Sequence, residues 1–252
     1  MRKPERAMVL AAGLGQRMRP LTETMPKPLV PVGGKPLIDW GLDALQRAGV
    51  GEAVVNIHYL ADLMVEHLAL RADPHIVISD ERQMLLDSGG GIVQALPLLG
   101  DNPFFLLNAD TFWIDRSEDN LDRLAFAWNG GQMDILILLA DPASATGHTG
   151  KLDFTMDAEG RLKRAQGAAN GYIYAGGAIL HPRLFAGAVA TPHSLNLYFD
   201  RAIAAGRMYG LPLDGHWITV GTPDAIAPAE AVLRRLSASV QKSESIFGKH
   251  DA

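Results

Sequence analysis

"VLAAGLGQRMRPLTETMPKPLVPVGGKPLI", residues Val9–Ile38, opens with a short apolar strand that runs into Gly13 and Gly15. Two glycines after a strand let the backbone approach a ligand closely and adopt positive φ. A loop leaving a strand can also aim successive N–H groups at a phosphate. A dinucleotide fingerprint needs a third glycine where Met18 stands. A P-loop needs Ser or Thr after Gly-Lys, but Pro36 follows Gly34-Lys35. Neither motif fits. Cations fill the stretch instead: Arg17, Arg19, Lys27 and Lys35. Arginine forks match phosphate oxygens. Lys27 lies between Pro26 and Pro28, which restrict the backbone around it and hold its charge in place.

Outward from this stretch, strand-like and helix-like segments alternate. Residues 7–12, 53–57, 75–79, 104–107 and 134–139 read as strands, and 37–48, 60–70, 91–99 and 121–128 as helices. That rhythm predicts βαβ units in an α/β fold: a Rossmann-like, mostly parallel sheet with helices on both faces. Ligands in such sheets bind beyond the carboxyl ends of the strands. Gly13, the 79–81 segment and the 108–110 segment all fall at strand ends and are expected to converge on one crevice. After residue 140 the rhythm changes. Residues 151–156 and 162–165 predict a hairpin, 172–180 a strand and 195–205 a helix. Residues 208–213 and 216–220 read as short strands about a turn, and Thr222 with Pro223 as the start of a helix to about residue 236. The polar tail, 237–252, is expected to fray. The chain reads as one domain, with a core at 7–140 and a small β-rich portion at 141–236 that forms a lid or floor for the crevice.

The 252 residues, 48% hydrophobic and 20% charged, suffice for a sizeable core without covalent staples. There is no cysteine, which excludes disulfides and thiolate metal sites and suits a cytoplasmic protein. The N-terminal apolar run at 7–12 is too short for a signal or membrane segment. A net charge of −5 argues against a nucleic-acid partner, so the basic residues near the N-terminus are read as aimed at a small anion. The eight histidines show no metal-ligand spacing.

"LAAGLGQRMRPLT" followed by "PKPLVPVGGKPLI" resembles the signature of the sugar-1-phosphate nucleotidylyltransferases. "LLDSGGGI", "LLNAD" and "GHWITVGTP" follow in the family's order, so the resemblance covers most of the chain. It implies the nucleotide-diphospho-sugar transferase fold, an NTP and a sugar 1-phosphate as substrates, and Mg²⁺. Overall likeness and small size most resemble the bacterial uridylyltransferases that act on N-acetylmuramic acid 1-phosphate in cell-wall sugar recycling. Guanylyl- or uridylyltransfer to mannose, heptose, glucose or N-acetylglucosamine 1-phosphate is the alternative within the class.

The resemblance implies that the backbone at Ala11, Ala12, Gly13 and Gly15 lies along the nucleotide, with Asn108 nearby. It implies that Arg17 holds the departing pyrophosphate and that Lys27 contacts the phosphates at the reacting phosphorus. Asp110, just past the apolar strand "PFFLLN", becomes the Mg²⁺ ligand, since Mg²⁺ takes one or two carboxylates plus phosphate and water oxygens. Glu81, Ser88, Gly89 and Gly90 are implied at the base, while Ser88 also reads as the N-cap of an ordinary helix. On the sugar side, Gly176 and Gly177 inside "YAGGAIL" mark either a ligand approach or a β-bulge. Asn170 and Asn196 are candidate hydroxyl readers, and Lys151 or Lys163 a candidate phosphate cation. One position departs from the family. Thr219 stands where a second metal-binding aspartate is usual, two residues before Gly221-Thr222. Asp110 alone, or Asp214 or Asp224, is left to fill that role. A binding protein that has lost the chemistry is the reading of another class that Thr219 raises.

Overall fold

The computed structural model describes residues 3–247. Its elements are, in chain order, β1 (Arg6–Leu10), β2 (Pro31–Val32), β3 (Lys35–Pro36), α1 (Leu37–Arg47), β4 (Glu52–Ile57), α2 (Ala61–Leu68) and β5 (His75–Asp80). There follow α3 (Asp87–Leu99), β6 (Phe104–Asn108), β7 (Thr111–Asp115), α4 (Asn120–Ala127), β8 (Ile135–Ala140) and β9 (Ala145–Thr146). The chain continues through β10 (Phe154–Met156), β11 (Leu162–Arg164), β12 (Ile173–Leu180), α5 (Asn196–Ala204), β13 (Met208–Pro212), β14 (Gly215–Thr219) and α6 (Ile226–Phe247).

Seven strands form the central sheet in the order β13-β8-β12-β6-β1-β4-β5. Every pair is parallel except those made by β12, which runs antiparallel to both β6 and β8. The strands are apolar on both sides because helices cover both faces. Successive residues alternate between two core clusters. Val9, Val55, Phe105 and Leu107 join residues of α1, α2 and α4 in one; Met8, Val54, Phe104 and Leu106 join α3 and α5 in the other. This period of two is the pleat of the strand.

A smaller sheet, β7-β14-β9, sits at the strand ends. β7 was not expected. The segments at 208–213 and 216–220 do not pair about a turn: β13 adds to the central sheet beside β8, while β14 pairs with β7 and β9. The hairpin at 151–165 is present as β10 and β11. The third helix begins at Asp87 rather than 91, so the glycines lie inside its first turns. Thr222 is extended at the next helix start but makes no side-chain cap bond. A 3₁₀ turn, Pro223–Ala225, leads into α6, which continues past residue 236 to Phe247. Of the tail expected to fray, 237–247 is therefore helical and 248–252 lies outside the described residues. No described helix is long and apolar enough to cross a membrane.

A third apolar cluster ties the ends of the chain together. Met18, Val30, Val32 and Leu37 share it with Phe112, Ile218 and Val220, and with Ala229 and Leu233 of α6. The opening segment is thus held from below.

Candidate active site

The carboxyl ends of β1, β4 and β6 lie side by side, with Leu10 in register with both Asn56 and Asn108. Just beyond them is a cavity of about 460 Å³. Its walls include Ala11, Gly13, Gly15, Arg17, Lys27 and Asp110. Ala12 is buried beside them. Nothing lies within 4 Å of the Cβ position at Gly13, so the loop presents open backbone there. Gly15 is left-handed, at φ 63°, and a side chain there would meet Lys27 Cβ at 3.0 Å. Only glycine serves that turn without strain. The 3₁₀ turn Gln16–Met18 then separates its residues: Met18 is fully buried while Arg17 is exposed. Methionine occupies the third-glycine position because the loop anchors itself in the third apolar cluster.

Lys27 is almost wholly buried, and Nζ donates to Asp110 Oδ2 at 2.6 Å. The Asp110 side chain is 36% exposed, against 11% for Lys27, so the carboxylate stays open to the cavity while the lysine reaches it from the wall. Asp110 is fixed from the other side as well, where its carbonyl accepts from Val220 N at 3.2 Å. Arg17 and Arg19 pair with no acid among the described residues, so their charges are free for a ligand. Arg17 lies over Gly221, its nearest guanidinium atom 3.6 Å from the Cβ position there.

Among the described residues, Asp110 is the single acidic group lining this cavity. Among the described residues no three His, Cys, Asp or Glu side chains cluster as a metal site. Thr219 pairs with Thr111, next to Asp110. Asp214 does not replace the missing acid. It precedes the opposite end of β14, five residues and about 16 Å from Thr219 at the rise of a strand. Its carboxylate accepts from Ser117 N at 3.1 Å and from the Ser117 hydroxyl. Those bonds hold it below the ordinary carboxylate range. Asp224 is exposed in the turn before α6 and does not line the cavity. The donor set fits a hard divalent cation held by one carboxylate, with phosphate and water oxygens completing its shell.

Several expected ligand contacts are taken up by the protein itself. Gly89 and Gly90 do not offer their N–H groups to a base, because both donate to the His193 carbonyl at 2.9 and 3.1 Å. Added side chains would strike His193 at 2.7 Å and the Thr191 carbonyl at 2.1 Å. These glycines admit the 191–195 segment against α3. Ser88 is not the N-cap; its hydroxyl accepts from Leu195 N at 2.9 Å. Glu81 is 2% exposed and faces inward, accepting from Asn56 and from Leu86 N. Gly176 sits at φ +80° in a bulge of β12, where a side chain would meet Thr111 Oγ1 at 2.2 Å and Asn108 at 3.2 Å. Gly177 makes room for Trp113 and Leu138, each 3.0 Å from its Cβ position. The close approach is therefore by protein side chains. Asn196 Oδ1 accepts from Arg164 at 2.8 Å, and Asn170 lines a separate cavity with Leu152 and Tyr172. Lys151 and Lys163 are both exposed and do not line the main cavity. Asn56 escaped the sequence reading, although a polar residue inside "AVVNI" was a usable signal.

A strand-end crevice with open backbone, two cations and one carboxylate has the donor chemistry that suits a polyphosphate and a divalent cation. Those features place the chain with the nucleotide-handling α/β transferases. It belongs to the family with a MobA-like NTP transferase domain, whose model matches residues 7–191. It is 44% identical over 235 residues to the N-acetylmuramate alpha-1-phosphate uridylyltransferase of Caulobacter vibrioides, covering 91% of this chain and 97% of that one. The enzyme of the same name from Neisseria meningitidis serogroup B is 34% identical, covering 90% and 97%. A probable mannose-1-phosphate guanylyltransferase of Oryza sativa subsp. japonica is 30% identical, covering 86% of this chain and 62% of that one. Among solved structures, an apo UDP-glucose pyrophosphorylase superposes with a TM-score of 0.74 at 17% identity, covering 94% and 100%. That likeness speaks for the fold alone. Enzymes of this family are generally metal-dependent.

Proposed function

We propose that the protein, working as a single domain, transfers UMP from UTP to N-acetylmuramic acid 1-phosphate and releases pyrophosphate, with Mg²⁺, as a cytoplasmic step of cell-wall sugar recycling. The identity to the Caulobacter enzyme, nearly end to end, supports the substrate pair. The observation that carries the chemistry is the Lys27–Asp110 pair at 2.6 Å on the wall of the glycine-loop cavity.

In the reaction a phosphate oxygen of the sugar 1-phosphate attacks the α-phosphorus of UTP. The new O–P bond forms as the bond to the β-phosphate oxygen breaks, and pyrophosphate leaves with that electron pair. The attacking oxygen is already anionic at neutral pH, so no general base is required. The obstacle is the meeting of two anions, which fixed cations and alignment relieve. Lys27, anchored by its prolines, neutralises charge at the reacting phosphate. Arg17 holds the leaving pyrophosphate, and open backbone at Gly13 lets the triphosphate lie against the loop. Mg²⁺ on Asp110 would supply further charge neutralisation and help align the phosphates.

The test is pyrophosphate release across a panel of NTPs and sugar 1-phosphates. UTP with N-acetylmuramic acid 1-phosphate is expected to give the highest kcat/KM. The more distant guanylyltransferase relatives make GTP with mannose 1-phosphate the second pair to assay. NTP binding without turnover for any pair would leave a binding protein and sink the proposal.

A further inference from the structure

A buried chain of hydrogen bonds runs behind the nucleotide loop. Ala11 N–H donates to Asn56 Oδ1 at 2.7 Å, Asn56 Nδ2 donates to Glu81 Oε1 at 2.7 Å, and Leu86 N–H donates to Glu81 Oε2 at 3.0 Å. Asn56 and Glu81 are each 2% exposed. The donor directions are forced. A backbone N–H at Ala11 requires the amide oxygen of Asn56, which turns its NH₂ to Glu81, and Leu86 N–H claims the other carboxylate oxygen. Helix α3 is shaped around this pair, since a side chain at Gly91 would lie 2.6 Å from Glu81 Oε1 and 2.8 Å from Asn56 Nδ2. No lysine or arginine pairs with Glu81 among the described residues. The positive end of α3, entered at Leu86, faces its charge instead.

The two ends of the chain of bonds belong to two segments that wall the active-site cavity. Ala11 lines it from the β1 loop, and Leu85, beside Leu86, lines it from the loop before α3. We propose that Asn56 and Glu81 are positioning residues that set the distance between these walls, and so the fit of the nucleoside part of the substrate between them. Neither residue needs to touch the nucleotide. This inference rests on the nucleotidyl-transfer reading. It differs in predicting where binding energy is lost: on the nucleoside, not on the phosphates held by Arg17 and Lys27.

Two substitutions break the chain of bonds and their combination rebuilds it. Glu81→Gln sets one NH₂ against a donor. Asn56→Asp sets a carboxylate against a carboxylate. Together they restore every bond, because the new amide at 81 donates to the new carboxylate at 56 and accepts from Leu86 N–H, with net charge unchanged. The probes are UTP and inorganic pyrophosphate, each titrated with Mg²⁺ by calorimetry. Each single variant is expected to weaken UTP binding about tenfold or more, the effect of one unsatisfied buried group. Pyrophosphate binding should stay within about twofold, and the double variant should recover UTP binding to within about threefold of wild type. Three results overturn the proposal: unchanged UTP affinity in the singles, equal loss of UTP and pyrophosphate, or a double variant no better than the worse single. If a single variant does not fold, the double decides alone, and its failure to fold or to bind UTP also overturns the proposal. A wild type that binds UTP but turns over no sugar phosphate refutes the proposed function and leaves these affinities readable.

Discussion

Arg17 and Asp110 line one cavity but should fail differently when removed. Arg17 is exposed and pairs with no acid among the described residues, so Arg17→Ala breaks no ion pair there and should change stability by less than about 0.5 kcal/mol. Its loss should appear in kcat/KM, lowered about a hundredfold, as for removal of one group that stabilises developing charge. Asp110→Asn keeps shape and partial bonding to Lys27 but removes the charge that pairs with Lys27 and that the proposed metal ion would need. Its expected signature is a fall in kcat of about a hundredfold or more, with the unfolding transition still cooperative. Steady-state rates with thermal melts on both variants check this pair; an Asp110→Asn enzyme of wild-type rate would remove Asp110 from the metal site. Both could be named as candidates from sequence because each stands in a short local motif, and the structure brings both to the wall of one cavity. Glu81 faces the interior and Asn56 was missed: a lone polar residue in an apolar run marks Asn56 as unusual, but nothing local names its partner across the fold.

The inner strands of the central sheet were legible because burial on both faces leaves apolar runs such as those of β1, β6 and β8. The small sheet was not, because its strands are short and pair across long stretches of chain, as Thr111 does with Thr219 and Ala145 with Trp217. The start of α3 was hidden for a different reason: glycine disfavours helix, and only the His193 carbonyl, far along the chain, repays the first turn. The element most exposed to test is the start of β8. Asp134 accepts from Arg183 at 2.6 Å and from Arg207 at 3.0 Å, clamping segments that follow β12 and α5. Burial would raise its pKa, but the bonds from Arg207 and Arg183 more than offset that and hold it below 3.8. A depressed carboxylate stabilises fully above its unfolded value and loses that contribution as pH falls through its folded value. Asp134→Asn should therefore cost about 2 kcal/mol at neutral pH. The gap between variant and wild type should close as pH drops below 3.8, which denaturant titrations at several pH values would reveal. A gap that stays constant to acid would mean that the charge contributes nothing to the clamp.

At the scale of the whole molecule, the last described helix supports the first loop. Leu233 of α6 comes so close to the opening segment that a side chain at Gly33 would lie 2.5 Å from its Cδ1. It shares its apolar cluster with Met18, whose burial turns Arg17 outward, and with Val30, which follows the Lys27 turn. Two cations of the proposed site thus stand on a floor completed by residues more than 200 positions away. Leu233→Ala should cost about 2–4 kcal/mol, as large-to-small core changes do. If the floor matters only for folding, melting temperature falls and KM for both substrates stays put at temperatures where the variant is folded. If it also seats Arg17 and Lys27, KM for UTP rises severalfold while KM for the sugar phosphate moves less, and that is the expected result. Phe126→Ala is the control, because Phe126 is 96% exposed on α4 and outside every core cluster. It should leave stability within about 0.5 kcal/mol and both KM values unchanged. A Leu233→Ala protein with equal shifts in both KM values would refute a specific link between α6 and the phosphate grip.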